Sequence, residues 1–239
     1  MMNKIPEINR ARGYFVYTAD GKRYLDMALE GGRLIMGHRQ KGYALALKNV
    51  IDKGILSGYP SPYAYRLKQA VKALLGKECY VYLFKSEERA REVLGSDNRF
   101  INTADPINDP IILVLPVPAD FAPGVIVSAT ELDLADEPVS PVILAGAVRA
   151  LYNLKAFLAE RDYSEWENAG IADACGDRWK VDLPYIYPLC EPDAYPAVWD
   201  AFFKEGIILS TDYDKPSLLP PSGELSEGNR KKVLELLKK

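Results

Sequence analysis

The stretch Arg12–Arg39, RGYFVYTADGKRYLDMALEGGRLIMGHR, decides the fold. Tyr14, Val16 and Thr18 alternate with Phe15, Tyr17 and Ala19. A run this rich in β-branched and aromatic residues suits a pleated, half-buried strand. Asp20-Gly21 follows, a hairpin signal, because both central residues of a type I′ turn need positive φ. Lys22–Met27 then returns as the second strand, and Gly31-Gly32 and Gly37-His38-Arg39 form a flexible loop with polar ends.

Outward from this hairpin, the 239 residues leave room for one large domain, or a main domain with a small appendage. Apolar residues are 48% and charged residues 26%, an ordinary soluble globular composition. Net charge is −3, with no basic stripe for nucleic acid and no polybasic patch for a membrane. The first residues, MMNKIPEINRARG, lack an apolar core of signal-peptide length. Apolar runs such as Ile111–Val117 are strand-sized and too short to span a bilayer. Cys79, Cys175 and Cys190 are odd in number and widely spaced, and His38 is the sole histidine. This excludes a structural zinc site and reads as reduced, buried cysteines of a cytoplasmic protein.

Helical periodicity predicts a short amphipathic helix in Lys41–Lys53, with Leu45, Leu47 and Val50 as its apolar residues. Gly58-Tyr59-Pro60-Ser61-Pro62 is a rigid linker. Tyr63–Leu75 is a helix with Tyr65, Leu67, Ala70, Val71, Leu74 and Leu75 on one face and Gly76 as C-cap. Cys79–Phe84 is a strand, and Ser86 caps a helix over Glu87–Leu94. Phe100–Thr103 is a brief strand; Ile111–Val117 and Gly124–Ala129 are buried strands, expected to be parallel. Val142–Arg161 is the longest helix, apolar around most of its circumference, hence buried or at an interface. Asp162–Gly176 carries little signal; then come strand at Trp179–Tyr187, helix at Pro196–Glu205, strand at Ile207–Ser210, a loop at Ser217–Pro221 and a last helix over Ser226–Lys239.

Arg12–Arg39 resembles the N-terminal hairpin of class III aminotransferases, pyridoxal-phosphate enzymes of fold type I, where the pattern runs G-x-x-x-x-D-x-D-G-x-x-Y-L-D, then G, then L-G-H. Phe84–Glu92 (FKSEERARE) is similar to that family's F-x-N-S-G-x-E-A-x-E, and Val142 through Leu219-Pro220 to its C-terminal part. The resemblance implies an α/β fold: a shortened fold type I aminotransferase-like chain with a reduced mixed or parallel sheet flanked by helices and a small α+β terminal subdomain. The implied organisation is 1–60, an N-terminal hairpin and linker packing with the C-terminal part; 61–140, a large-domain remnant; and 141–239, an interface helix and C-terminal subdomain.

The departures carry the functional expectation. In the family the Ser-Gly segment opens a helix whose N–H groups grip the cofactor phosphate. Ser86 stands there as a vestigial cofactor ligand or a plain N-cap, and Glu87 and Glu88 take the place of glycine. A carboxylate against a phosphate costs ~4 kcal/mol at ~4 Å for an effective ε of ~20. Where the resemblance places the Asp that pairs with the pyridine nitrogen, this chain has Thr130, with Glu131 beside it. No lysine lies between Lys85 and Lys155, so the Schiff-base lysine has no counterpart.

The expectation is therefore an aminotransferase-like protein that has lost pyridoxal-phosphate catalysis: a cytoplasmic, non-enzymatic or ligand-binding homodimer, a pseudoenzyme with no catalytic residue, no cofactor and no metal. His38, Thr130 and Glu131 would line its pocket, for a small amino or keto acid. His38 is either an acid/base group or a donor that orders its loop. Asp133, Asp136 and Glu137 are either a cation site or a solvated helix entry. The alternative is an active PLP-dependent aminotransferase or aminomutase that uses an atypical lysine, with Lys85 the first suspect and PLP then its cofactor.

Overall fold

The computed structural model describes residues 5–95, 98–99, 107 and 109–239. In chain order the strands and helices are β1 (Ile8–Arg12), β2 (Phe15–Thr18), β3 (Arg23–Asp26), α1 (Tyr43–Ile51), α2 (Pro62–Leu75), β4 (Tyr80–Phe84), α3 (Glu87–Leu94), β5 (Asn98–Arg99), β6 (Ile111–Leu113) and β7 (Gly124–Ser128). There follow α4 (Pro141–Glu160), α5 (Ser164–Asn168), α6 (Ile171–Cys175), β8 (Trp179–Asp182), β9 (Tyr185–Pro188), α7 (Tyr195–Lys204), β10 (Ile207–Ile208), β11 (Ser217–Leu218) and α8 (Glu227–Leu237). The brief strand expected at Phe100–Thr103 lies outside the described residues.

The chain forms two compact units, 1–39 with 160–239, and 40–159. These divisions fall elsewhere than the sequence boundaries at 60/61 and 140/141. The reason is local packing: α4 holds α1 and the proline linker. Arg149 Nε and Asn153 Nδ2 both donate to the Lys41 carbonyl, at 3.0 and 2.9 Å. Ser140 Oγ reaches the Leu56 carbonyl at 3.3 Å.

The first unit is built on a sheet of order β1-β2-β3-β10. The expected hairpin is β2–β3, antiparallel with Phe15 opposite Leu25. Its turn differs from the type I′ expectation. Only Gly21 has positive φ (81°), and Thr18 and Lys22 close a three-residue loop through Thr18 N–H to Lys22 O at 3.0 Å. This is the type I turn followed by a left-handed glycine, the common three-residue hairpin. β1 adds antiparallel to β2, and β10 returns from far along the chain to lie parallel to β3. Parallel pairing demands such a long crossover. Val16, Leu25, Met27, Trp199 and Phe202 are buried beneath it. A second sheet, β11-β9-β8, carries the Trp179–Tyr187 segment as two antiparallel strands. Residues 162–176, low in sequence signal, hold the five-residue helices α5 and α6, too short to show a periodic stripe.

The second unit has a mixed sheet of order β4-β7-β6-β5. The parallel expectation for 111–129 is corrected here. β6 and β4 each pair antiparallel with β7, and only β5–β6 is parallel. Val125, Ile126 and Val127 are fully buried. A continuous apolar run reports burial on both faces, not strand direction. The helices α1 to α4 belong to this unit. α2 buries Leu67, Ala70, Val71, Leu74 and Leu75 as its period requires. Tyr65 and Leu45, expected on buried faces, are instead 67% and 60% exposed.

α4, the long apolar helix expected to be buried or at an interface, is also long and apolar enough to cross a membrane by length and composition. It nevertheless carries Arg149 and Lys155, and buries Leu144, Ala147, Ala150, Leu151 and Leu154 within the protein. All three cysteines are free: Cys79 and Cys175 are buried, Cys190 half-buried. Burial pushes the Cys175 thiol up to about 11.

Candidate functional site

Two places gather the candidate residues, one in each unit. In the first unit Asp26 ends β3 and is buried. Its Oδ1 accepts the N–H groups of Ala28 and Leu29 at 3.0 and 3.1 Å. Its Oδ2 lies 2.8 Å from His38 Nε2. The carboxylate thus fastens both ends of the loop 27–38. The His38 N–H also donates to the Gly13 carbonyl at 2.7 Å. Tyr14 hydroxyl donates to the Ile35 carbonyl at 2.9 Å, and burial drives its pKa far up. Nearby Tyr163, its hydroxyl buried without a partner, is pushed by burial to about 12. These tyrosines therefore stay neutral at physiological pH. Asp26 was missed as a site residue, although it is the final D of the Y-L-D motif.

In the second unit Ser86 caps α3, its Oγ accepting the Arg89 N–H at 3.1 Å. Glu87 sits in the first turn and is buried. Glu137, from the segment leading to α4, reaches the same helix end. Its Oε2 accepts the Lys85 N–H at 3.3 Å and its Oε1 the Arg89 Nε at 2.8 Å. Beside it Asp136 accepts the Leu83 N–H at 3.0 Å and pairs with Lys68 at 2.6 Å. Two carboxylates of the chain, Glu87 in the first turn and Glu137 from outside the helix, thus lie at the positive end of α3. Among the described residues no group of three or more His, Cys, Asp or Glu could hold a metal ion. Asp136 and Glu137 answer cationic side chains instead.

Thr130 and Glu131 are exposed just beyond β7, where Thr130 N–H donates to Ser128 Oγ at 3.2 Å. β4 and β7 run antiparallel with Phe84 opposite Gly124 and Tyr80 opposite Ser128. Ser86 and Thr130 therefore lie beyond opposite ends of this ladder, whose four residue steps alone span roughly 14 Å at about 3.4 Å per residue. His38 belongs to the other unit. The sequence order could not reveal this, because it rests on the direction of β7.

N-acetylornithine aminotransferase from Stenotrophomonas maltophilia matches with a TM-score of 0.71 at 14% identity, over 99% of this chain and 95% of that one. Ornithine δ-aminotransferase of Plasmodium falciparum gives 0.71 at 13% identity, over 97% and 91%. The fold is that of the class III aminotransferases. Glutamate-1-semialdehyde 2,1-aminomutase of Thermus thermophilus is 36% identical over 67 residues, 28% of this chain and 16% of that enzyme, which is therefore the longer chain. An uncharacterized protein of Borreliella burgdorferi is 27% identical over 92% of this chain and 86% of its own length. No family profile matches the chain.

Pyridoxal phosphate is the cofactor that this aminotransferase fold implies, and the charges at the α3 N-terminus are those it would face. A dianionic phosphate at the α3 N-terminus would meet Glu87 and the Glu137 carboxylate that already holds the Lys85 N–H. No lysine occurs in 86–154, and Lys85 and Lys155 are exposed.

The Glu137–Arg89 pair makes a pH prediction. The hydrogen bond from Arg89 holds the Glu137 carboxyl below its ordinary 4.5. A lowered folded-state value means the contribution is complete above 4.5 and is lost as pH falls through the lower value. Glu137→Gln is expected to make melting temperature fall less steeply with acid below pH 4.5 than in the parent. Parallel curves in thermal melts from pH 3 to pH 7 would exclude the pair as a contributor.

Proposed function

We propose that this chain is an aminotransferase-fold protein that has lost pyridoxal-phosphate catalysis and acts as a cytoplasmic, ligand-binding homodimer. One observation carries the reading: a carboxylate of the chain itself, Glu137, lies beside the α3 N-terminus, where a phosphate would have to sit, accepting the Lys85 N–H just before the Ser86 cap and the Arg89 Nε of the first turn. The lack of lysine across 86–154 supports it, since Schiff-base chemistry needs an amine nucleophile. Added pyridoxal phosphate is expected to show the spectrum of free cofactor and, after borohydride reduction and peptide mapping, no labelled lysine. A reducible band mapped to Lys85, or to any one lysine, would sink the proposal and make the protein an active transaminase.

Self-association is supported by apolar side chains left in solvent on α1, the linker and α2. Leu45, Leu56, Tyr59 and Tyr65 are all more than half exposed. Side chains of this kind in clusters mark contact surfaces. Light scattering at micromolar concentration is expected to return twice the 26.7 kDa chain mass. A monomer mass would remove the dimer from the proposal.

A further inference from the structure

A cavity of about 310 Å³ opens among α1, α2 and α4, within the second unit alone. Its walls are apolar at Ala145 and Val148 and aromatic at Tyr63 and Tyr152. Two cations, Arg66 and Arg149, line it as well. Among the described residues neither guanidinium has a carboxylate partner, although the chain is acidic overall.

Arg149 is held in place by the structure around it. Its Nε donates to the Lys41 carbonyl at 3.0 Å, which leaves the terminal nitrogens unused among the described residues. Gly42 clears the space for the guanidinium: a Cβ there would stand 2.9 Å from Arg149 Nε and 3.1 Å from its Cζ. Asn153 fixes the same carbonyl from the next turn of α4, at 2.9 Å. Arg66 lies over the Tyr63 ring, 5.3 Å from its centroid, which steadies a long side chain without neutralising it.

We propose that this cavity binds a small carboxylate with an apolar, preferably aromatic, body. The planar guanidinium fork matches a carboxylate, and the alanine, valine and tyrosine walls take the hydrocarbon part. The volume admits a compact ligand of metabolite size, not a polymer. The site deepens the ligand-binding part of the proposed function and rests on that reading only for its role in the cell. It is separate from the α3 terminus, so the aldimine experiment and the binding experiment can fail independently.

The test is a thermal melt and calorimetric titration of the full chain with 3-phenylpropionate, 3-phenylpropanamide and inorganic phosphate. The carboxylate is expected to raise the melting midpoint progressively with concentration, while the isosteric amide and phosphate leave it in place. Arg66→Met and Arg149→Met are each expected to weaken carboxylate binding by about 10- to 100-fold, the loss of a charge-assisted contact. Arg66→Met keeps the test sound if Arg149→Met, which also removes a helix-to-loop hydrogen bond, fails to fold. Equal binding of the amide or of phosphate, unchanged affinity in Arg66→Met, or no binding because a second copy seals the groove would each overturn the proposal.

Discussion

Trp199→Ala is expected to destabilise the first unit by about 3–5 kcal/mol, the range for deleting a fully buried aromatic side chain. Trp199 has no exposed surface. Its ring stacks on Phe203 with centroids 4.8 Å apart, and Phe203 stacks in turn on Tyr24 of β3 at 5.3 Å. Its Nε1 donates to the Leu209 carbonyl at 3.0 Å, just beyond β10. Trp199 therefore ties α7 directly to the segment after β10, and backs Phe203, the α7 residue that meets the hairpin. Truncation leaves a cavity and an unsatisfied buried carbonyl together. Trp199→Phe should keep most of the packing and lose only the hydrogen bond, about 1–2 kcal/mol. Urea unfolding followed by circular dichroism checks both. If the two variants lose the same stability, the hydrogen bond, and not the volume, holds α7.

Gly124→Ala is expected to cost about 1–3 kcal/mol or more, as overpacking a core does, for one added methyl. A Cβ at 124 would lie 2.2 Å from the Ser86 carbonyl oxygen and 2.8 Å from the Ala90 Cβ. The first of these is backbone, so no rotamer change relieves it. Ala90 and Phe84 are buried here, so the start of α3 has little room to retreat. The Phe84–Gly124 end of the β4–β7 ladder should loosen, and with it the Ser86 cap and the Glu137 contact. Hydrogen exchange should show faster amides at Lys85 and Arg89 in this variant than in Ala129→Gly, a change at the other end of β7. Equal protection in both would mean that α3 does not depend on the close approach of Gly124.

These effects also mark where the sequence could be read. Ser86 as N-cap, Gly76 as left-handed C-cap, and the buried face of α2 are set by residues within one or two turns of each other. The β2–β3 hairpin was legible for the same reason, although its turn was one residue longer than Asp-Gly alone suggests. Leu45 and Tyr65 misled because an apolar residue on a helix reports a preference for cover, not its presence. Glu137 looked like part of an acidic cluster, and its partner, the Lys85 N–H, is 52 positions away. No local spacing links the two.

What the sequence determined alone is the short-range part of this protein: the hairpin, the caps, the periodic helices and the missing lysine, each settled by neighbours along the chain. The class III resemblance rested on that local register and pointed to the fold. Only tertiary structure decided the direction of β7, and hence that Ser86 and Thr130 stand at opposite ends of a sheet. It alone brought β10 beside β3, set Glu137 beside the α3 terminus and, among the described residues, left Arg66 and Arg149 without carboxylate partners around a cavity. The physical reason is the same in each case. Strand direction, ion pairing and cover depend on which distant segments meet, and side-chain periodicity along a single segment holds no record of its partner.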